Sequence, residues 1–391
     1  MKTTSLILMS AFCISQTYAY TLPQQPTKSY ECDACSKLSH DTLEDKWSIS
    51  NDSLNDKVSN VQKSYSYKQQ VTAKQLQSGV ALSILAPGAI IRITPLQKKE
   101  MPQLQIKTPE NKLMSLKAAS SLYSQDDALA DTLAASKHQT MLQIKPELGA
   151  GTFIIKSKTL DVKDTDTYLI NVFDKFSLAH LQIESDSTHY QYGDKLTATI
   201  NLNGLDGHYS IDDVEASLVD PRGHDTQLEL TKIGHNKFEA TAILNSEFND
   251  EGENWYIEVN AETEVGEAII KRSGHTAFSY AIPSASLLSI EKLSSKPLTF
   301  VATLDVATAS RYALQSVLFR EEGVGKIIPI ETAQKAQWFN PGKHSIQFTF
   351  DNSSQLSDDS LYLGYLHLLD YGQLKPVYQY NKPIKLTQLV E

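Results

Sequence analysis

The chain has 391 residues, of which 41% are hydrophobic, and its formal net charge at pH 7 is −10. Nucleic-acid binding relies on clustered Lys and Arg that neutralise phosphates, so this acidic balance excludes nucleic acid as an expected partner and also disfavours an anionic membrane surface. The length exceeds what one hydrophobic core usually serves and predicts about two to four domains.

Residues 1–19 have the pattern of a secretory signal peptide. Lys2 provides a short positive start, a mostly apolar stretch follows, and the tripeptide that ends at Ala19 fits the small-x-small cleavage pattern. Neither this stretch nor any later one approaches the roughly eighteen apolar residues that a transmembrane helix needs. We therefore expect cleavage near Ala19, no transmembrane segment, and a secreted protein of the periplasm or extracellular space.

Residues 20–70 form a polar stretch without a sustained apolar period. Such a composition predicts a mobile leader, with one short helix near Asp41–Trp47. The leader contains a C-x-x-C motif, Cys32 and Cys35, and cleavage of the signal peptide removes the third cysteine of the chain, Cys13. Hydrophobic cores, and not disulfides, must therefore hold the domains together.

The C-x-x-C motif admits several roles. A redox centre of thioredoxin type needs the motif at the start of a helix that follows a buried strand, and the residues before Cys32 contain no strand pattern. Haem attachment needs His directly after Cys35, where Ser36 stands. Zinc needs four ligands, and Cys32, Cys35 and His40 supply three. Export favours a local Cys32–Cys35 disulfide worth about 2 kcal/mol, with the metal and redox roles as alternatives.

Residues 71–184 predict an N-terminal β-rich domain with a helical insertion. The stretch VALSILAPGAIIRITPL contains two apolar runs separated by the turn signal at 86–88. Further strand patterns occur at 104–106, 151–155 and 167–173. Residues 112–141 are instead rich in Ala and Leu, with Ser124 placed as an N-cap, which predicts helix.

Residues 185–284 and 285–391 predict two further domains. Each consists of short alternating runs at intervals of about ten residues, separated by Gly, Asn and Pro turns, as in immunoglobulin-like sandwiches. Neither contains a strand-helix-strand crossover pattern. The predicted fold class is therefore mainly β, with an N-terminal β-rich domain followed by two immunoglobulin-like β-sandwich domains.

Motifs of fixed spacing give no support for an enzyme. The serine nucleophile elbow G-x-S-x-G and the paired histidines of common zinc hydrolases do not occur. The glycine-rich stretch at Gly149 has Ile154 where the third glycine of a dinucleotide-binding motif belongs. We therefore expect no catalytic residues and no cofactor.

Three aromatic residues and an acidic loop are the candidate ligand contacts. Trp338 precedes a turn, and Trp255 and Tyr256 follow the loop Glu247–Glu253, which contains four carboxylates. An exposed ring can stack on a sugar face, and carboxylates can bind Ca²⁺. Packing within a sheet and solvation of a hairpin loop explain the same residues more simply. The aromatic residues are kept as candidates for contact with a protein or glycan partner.

Six stretches carry a resemblance to a known family. In chain order they are APGAIIRITPL, YLINVFDKFSLAHLQIES, YGDKLTATINL, SRYALQSVLF, AQWFNPGKHSIQFTF and YLHLLDYGQL. Over residues 71–391 the chain resembles the exported bacterial family known as domain of unknown function 4785. The resemblance implies a β-rich N-terminal domain followed by two immunoglobulin-like domains, and it implies no activity.

The sequence therefore predicts an exported, non-catalytic protein that acts as a binding or structural-interaction module. One alternative is a secreted hydrolase, whose site would lie in the domain at 71–184 because a helical insertion can cover a cleft. A second alternative is a metal or redox protein that uses Cys32 and Cys35.

Overall fold

The computed structural model describes residues 19–49, 54, 60–97, 101–125, 139–158, 166–205, 209–247, 249, 252–266, 268–323, 325–351 and 357–389. These residues are mainly in antiparallel strands and form three domains, which confirms the predicted mainly β class. They contain no helix that is long and apolar enough to cross a membrane. The predicted signal peptide, residues 1–19, lies outside the described part of the chain except for Ala19.

The strands are, in chain order, β1 Tyr20–Thr21, β2 Leu43–Trp47, β3 Val61–Ser64, β4 Ser66–Thr72, β5 Val80–Ile84, β6 Ile90–Pro95, β7 Leu104–Lys107, β8 Leu113–Ser115, β9 Ser120–Gln125, β10 Thr140–Ile144, β11 Gly151–Ser157, β12 Thr167–Phe173, β13 His180–Ser185, β14 His189–Gln191, β15 Lys195–Asn203, β16 Asp213–Val219, β17 Asp225–Gln227, β18 Glu229–Gly234, β19 Lys237–Ile243, β20 Trp255–Val265, β21 Ala268–Ala281, β22 Ala285–Ser295, β23 Leu298–Val306, β24 Ser310–Glu321, β25 Ile327–Phe339, β26 Gly342–Phe350, β27 Leu361–Asp370, β28 Lys375–Tyr380 and β29 Ile384–Lys385. An α-helix, α1, spans Ala73–Ser78. Short 3-10 helices occur at Cys35–Lys37, Pro146–Leu148, Asp358–Ser360 and Leu386–Gln388.

The strands belong to two compact units. One unit contains the described residues of 58–245 and 254–279, and it holds the first and second domains. The other contains the described residues of 1–57, 246–253 and 280–391, and it holds the third domain.

The first domain packs two sheets around one core. Their strand orders are β4-β12-β6-β10-β9 and β5-β11-β7-β8. Apolar residues at alternate positions, such as Ile91 and Ile93 on β6 and Leu82 and Ile84 on β5, all lie in this core. Because side chains alternate between the two faces of a strand, this pattern buries one face of each sheet.

The predicted helix at 112–141 is wrong wherever the structure describes it. Residues 113–115 and 120–125 are strands β8 and β9, and β9 pairs with β10 in a register that places Ser124 opposite Met141. The Ala- and Leu-rich composition suits a helix, but burial of Leu116 and Ala119 and pairing on a sheet edge outweigh this weak preference. The remaining residues of that prediction, 126–138, lie outside the described part of the chain.

The second domain also consists of two sheets. Their strand orders are β18-β19-β15-β13-β3 and β14-β21-β20-β16-β17. Strict alternation on β15, with Leu196, Ala198, Ile200 and Leu202 buried, shows which face of the strand is packed. Strand β13, at the end of the predicted first domain, pairs with β15 and so extends this sheet.

Residues 61–72 connect the first two domains as a continuous crossing segment. Strand β3 pairs with β13 in the second domain, and β4 pairs with β12 in the first. Between them lies Tyr65, whose carbonyl accepts a hydrogen bond from Asp174 N–H at 3.0 Å. Two antiparallel passages of the chain therefore join these domains.

The third domain includes two strands, β1 and β2, from the predicted polar leader. Its sheets have the orders β1-β22-β23-β26 and β2-β25-β24-β27-β28, with β29 beside β27. The hydrophobic core between the two sheets contains aromatic side chains, and the ring centroids of Phe300 and Phe348 are 5.6 Å apart.

The prediction of a mobile leader with a helix at Asp41–Trp47 is therefore wrong for the leader residues that the structure describes. Residues 43–47 form β2, which pairs along its whole length with β25, from Leu43 opposite Ala336 to Trp47 opposite Thr332. Backbone pairing at a sheet edge holds this strand, and its side chains are mostly exposed. An edge strand of this kind leaves no apolar period in the sequence.

Candidate functional site

The C-x-x-C motif forms a closed turn on the third domain. The sulfurs of Cys32 and Cys35 are joined in a disulfide. Cys35 N–H points at the Cys32 carbonyl oxygen, 3.3 Å away, and also lies 3.1 Å from Cys32 Sγ. Cys35 is only 4% exposed, whereas Cys32 is half-buried. The two cysteine residues therefore differ in their exposure to solvent.

A fully buried carboxylate, Asp370 at the end of β27, lies beneath this turn. Its oxygens accept hydrogen bonds from Ser310 Oγ (2.5 Å), Ser284 Oγ (2.6 Å), Tyr30 Oη (2.8 Å), Gly372 N–H (2.8 Å) and Gln373 Nε2 (3.1 Å). Hydrogen bonds to an ionised acceptor are the stronger ones in proteins. This set, which we call the Asp370 cluster, ties residues of the leader to three separate parts of the third domain.

Two phenols around Asp370 are held as neutral donors. Burial raises the pKa of Tyr30, and the charge of Asp370 and the hydrogen bond to it raise it further. Burial also raises the pKa of Tyr312, again with a contribution from Asp370. Tyr312 Oη donates to the carbonyl of Thr308 at 2.8 Å. Both hydroxyl protons therefore remain on the phenols throughout the physiological range.

The backbone of Gly372 lies directly against the disulfide. A Cβ at this position would be 2.5 Å from Cys35 Sγ, 2.7 Å from Cys32 Sγ and 2.4 Å from Tyr30 Oη. These distances are far inside van der Waals contact, so only glycine lets the turn sit this close to the third domain.

We expect Gly372→Ala to lower the free energy of unfolding of this unit by about 1–3 kcal/mol, because the added methyl group must push the turn away. Urea denaturation of the full-length protein measures the change. A matched control is Gly234→Ala, where the added Cβ meets only Lys237 Cβ at 3.3 Å. Equal effects of the two substitutions would contradict the close-packing argument.

Trp338, a predicted ligand platform, is covered by a residue of the leader. The His40 ring stacks on it with a centroid distance of 4.1 Å and an interplanar angle of 12°. Next to this pair, Arg311 Nη1 donates to the carbonyl of Ser39 at 2.8 Å. The candidate zinc ligand His40 therefore serves in packing, and the face of Trp338 that it occupies is closed to a sugar.

The other two aromatic candidates lie in the second domain. Trp255 is 4% exposed and packs near Phe278, so its ring does not form a surface platform. Tyr256 is half-buried and meets His275 edge to face at a centroid distance of 5.4 Å. Of the three predicted aromatic contacts, Tyr256 is the one placed beside His275, which lines a cleft described below.

The predicted acidic loop is only partly within the described residues, because 248, 250 and 251 lie outside them. Glu247 pairs with Lys28 at 2.9 Å, and Asn249 Nδ2 donates to Gln373 Oε1 at 2.7 Å. Across the described residues, no three His, Cys, Asp or Glu side chains are grouped to hold a metal ion. The disulfide likewise leaves neither sulfur as a thiolate ligand.

A buried ion pair lies where the first two domains meet. Arg272 Nη2 on β21 is 3.1 Å from Asp174 Oδ2, and both side chains are fully buried. The same guanidinium donates to Ser177 Oγ at 2.9 Å and to the carbonyl of Ala179 at 3.0 Å. Burial lowers the pKa of Arg272, and the charge of Asp174 opposes this shift. The pair fixes the second passage of the chain between the domains.

A cleft of about 490 Å³ opens beside this joint. Its lining includes Ser64, Ser66, Lys68, Asn171, Glu258 and His275. Lys68 Nζ and Glu258 Oε2 form an ion pair at 2.7 Å. Hydroxyl, amide and charged groups thus converge on one open site, which can hydrogen-bond a polar partner.

Sequence patterns could not identify this cleft. Its walls come from β3, β4, β12, β13, β20 and β21, so no local motif contains more than a few of its residues. Strands β3 and β21 approach each other closely at this cleft, since a Cβ on Gly274 would be 2.9 Å from Ser64 Cβ. A glycine inside a strand is a weak signal of such an approach.

Comparisons with known proteins give matches along most of the chain. Models of the N-terminal, central and C-terminal domains of a domain of unknown function (DUF4785) match residues 34–174, 177–281 and 284–387. A crystal structure of a DUF4785 family protein from Legionella pneumophila subsp. pneumophila str. Philadelphia 1 is similar, with 61% identity and a TM-score of 0.84, over 94% of this chain and 99% of that one. No curated protein matches the sequence.

One further solved structure resembles this chain more distantly. The tetra-tandem repeat from the extending region of a large adhesion protein is 12% identical, with a TM-score of 0.22, over 81% of this chain and 71% of that one. Similarity at this level carries no argument about function.

Proposed function

Because the chain belongs to the DUF4785 family, we propose that it is an exported, non-catalytic member that binds a protein or glycan partner through the cleft between its first two domains. We further infer that its second and third domains are immunoglobulin-like sandwiches, since each consists of two antiparallel sheets. Export is supported by the signal-peptide pattern of residues 1–19.

The observation that carries this proposal is the fixed joint. Strand β3 belongs to the sheet of one domain and β4 to that of the next, and the Arg272–Asp174 pair is buried beside them. Two chain passages and a buried, hydrogen-bonded ion pair keep the walls of the cleft at a constant spacing. A pre-formed site of this kind loses little entropy when a partner binds.

The chemistry of the lining favours a polar partner. Hydroxyls of Ser64 and Ser66, the amide of Asn171 and the Lys68–Glu258 pair offer both donors and acceptors. Carbohydrates and extended peptide backbones present the complementary groups. Tyr256, packed against His275, adds an aromatic edge next to the cleft.

The test uses the full-length protein with a photo-crosslinking amino acid at Lys63, in the cleft lining, and a matched variant with the same group at the exposed Leu293 on the third domain. Both are exposed to a soluble glycan and peptide panel and to the native secretion medium. We expect a discrete adduct from position 63 and none from 293. The adduct should be lost when Ser64→Trp fills the cleft.

Two outcomes contradict the proposal. Equal labelling from both positions, or from neither, would exclude the cleft as the binding site. Turnover of a peptide, glycan or ester substrate that a single substitution abolishes would exclude a non-catalytic role.

Export has a separate test. N-terminal sequencing of the exported protein should begin at Tyr20, and an uncleaved N-terminus would contradict the export route.

A further inference from the structure

We propose that the Cys32–Cys35 disulfide is a stoichiometric thiol–disulfide exchange site that accepts two electrons from a dithiol of a partner protein. This goes beyond the proposed binding role and concerns the other unit of the chain. Four observations carry it: the redundancy of the bond as a staple, the unequal access to its sulfurs, the hydrogen bond to Cys32, and the hydroxyl groups at Cys35.

As a structural staple the disulfide is redundant. It links residues that are three positions apart, and closing so short a loop stabilises a protein by only about 2 kcal/mol. Other contacts already hold the flanking segment. Tyr30 Oη donates a hydrogen bond to Asp370, Arg311 Nη1 donates one to the Ser39 carbonyl, and β2 pairs with β25 along its whole length. The bond therefore adds little to an anchorage that other contacts provide.

The access to the sulfurs is asymmetric in the way that exchange requires. Both sulfurs lie against Gly372, but Cys32 is a half-buried residue, whereas Cys35 is 4% exposed and its sulfur also lies 3.4 Å from Ser310 Oγ of the third domain. Which sulfur is attacked depends on access, so an incoming thiolate is directed to Cys32. Cys35 is then the leaving group.

The two sulfurs have different hydrogen-bonding groups around them, and a donor faces Cys32 Sγ. Cys32 Sγ faces Cys35 N–H at 3.1 Å, a donor that stabilises negative charge on this sulfur. Cys35 Sγ lies 3.4 Å from Ser310 Oγ and 3.8 Å from Tyr30 Oη. Both hydroxyls donate to the carboxylate of Asp370, so a short chain of hydroxyl groups connects the buried sulfur to this carboxylate.

The exchange balances in two steps. A thiolate of the partner attacks Cys32 Sγ, a bond forms between these two sulfurs, the Cys32–Cys35 bond breaks, and Cys35 leaves as a thiolate that takes up the proton released by the attacking thiol. The second partner thiol, as a thiolate, then attacks the partner's own sulfur in the mixed disulfide, and Cys32 leaves and is protonated. The partner dithiol loses two electrons and two protons, and Cys32 and Cys35 gain them.

The reverse reaction uses the hydroxyl groups as a proton path. A reduced Cys35 thiol donates to Ser310 Oγ, whose own hydroxyl donates to Asp370. Removal of the thiol proton along this path generates the nucleophile that reforms the disulfide. Ser310 is therefore a positioning residue, since it acts on the sulfur through its hydrogen bond to Asp370.

The first experiment follows reduction of the native full-length protein by dithiothreitol, with maleimide labelling and mass spectrometry as the readout. We expect both cysteines to be labelled at a rate well above that of global unfolding. Ser310→Ala should slow reduction about 10-fold and alter the pH dependence of the rate. Ser36→Ala removes an exposed hydroxyl that donates to the Asp33 carbonyl at 3.0 Å, and it should leave the rate unchanged.

The second experiment assigns the two sulfurs. Cys35→Ser, incubated with glutathione disulfide, should form a mixed disulfide at Cys32 at least about 10-fold faster than Cys32→Ser forms one at Cys35. Reduction of the wild-type bond only at the rate of global unfolding would overturn the proposal and leave a purely structural bridge. Equal reactivity of the two single-cysteine variants would overturn it as well.

Discussion

Replacing Arg272 with alanine is expected to lower the free energy of unfolding of the unit that holds the first two domains by about 3–5 kcal/mol. The substitution leaves Asp174 fully buried without its counter-ion. That carboxylate cannot turn towards solvent, because it also accepts hydrogen bonds from the N–H groups of Leu85 (2.8 Å) and Ala86 (3.2 Å). The penalty is therefore that of a fixed, unpaired buried charge and not merely that of one lost contact.

The three tryptophans of the chain allow the two units to be followed separately. With Trp47 and Trp338 replaced by Phe, the buried Trp255 is the only tryptophan, and its emission reports unfolding of this unit in urea. The control is Lys271→Ala, the neighbouring cation on β21, which is partly exposed and pairs with Glu262. A surface pair of this kind contributes at most about 1 kcal/mol.

Arg272→Lys separates charge from geometry. Lysine keeps the positive charge but cannot reproduce the set of guanidinium contacts to Asp174, Ser177 and Ala179. We expect Arg272→Lys to lower the free energy of unfolding by an amount between those for Arg272→Ala and the control Lys271→Ala. If Arg272→Ala costs less than about 1 kcal/mol in this assay, the joint is not held by the ion pair, and the fixed spacing of the cleft walls loses its main support.

Strands that bury one face were predictable from the sequence. On β15 the apolar residues from Leu196 to Leu202 alternate with polar ones, and the same alternation marks β5 and β6. Such patterns follow directly from the two-residue period of a strand. The family resemblance, carried by stretches of this kind, was confirmed by the matches to all three domains.

Strands stabilised mainly by backbone pairing were not predictable. Leu43–Trp47 exposes most of its side chains, so its polar sequence resembles a linker, although every residue pairs with β25. Ser120–Gln125 lies in an Ala- and Leu-rich region, where composition favours helix and the neighbouring strand β10 determines the outcome. In both cases the deciding interaction comes from residues far away or from a partner strand that local composition does not reveal.

The residues that organise the candidate sites left only faint signals. Arg272 and Asp174 are 98 positions apart, and no spacing rule connects them. Asp370 ends the apolar run LYLGYLHLL, and a carboxylate attached to a buried strand requires hydrogen-bonding partners. That requirement could have indicated a polar cluster, but the identity of the donors, from Tyr30 to Gln373, depends on the tertiary fold.

Replacing Asp370 with alanine is expected to destabilise the unit that holds the third domain by at least about 3 kcal/mol. The substitution removes the shared acceptor of three hydroxyls, one side-chain amide and one backbone N–H, all in a buried region. Each donor left without a partner there costs about 1–3 kcal/mol, although rearrangement of the hydroxyls recovers part of the loss. Asp370→Asn keeps the volume and one oxygen acceptor, so we expect a smaller loss.

The readout is urea denaturation in a Trp255→Phe background, in which Trp47 and Trp338 report this unit. Asp351→Ala is the matched control, since its carboxylate is 69% exposed and pairs with Lys46 at the surface. That substitution should cost no more than about 1 kcal/mol.

The Asp370 variants should also weaken the docking of the leader, because Tyr30 loses its acceptor. Hydrogen exchange of β2 and of the Cys32–Cys35 turn should then rise well before the unit unfolds. Unchanged protection of these amides, with full stability retained, would mean that the β2–β25 pairing alone anchors the leader.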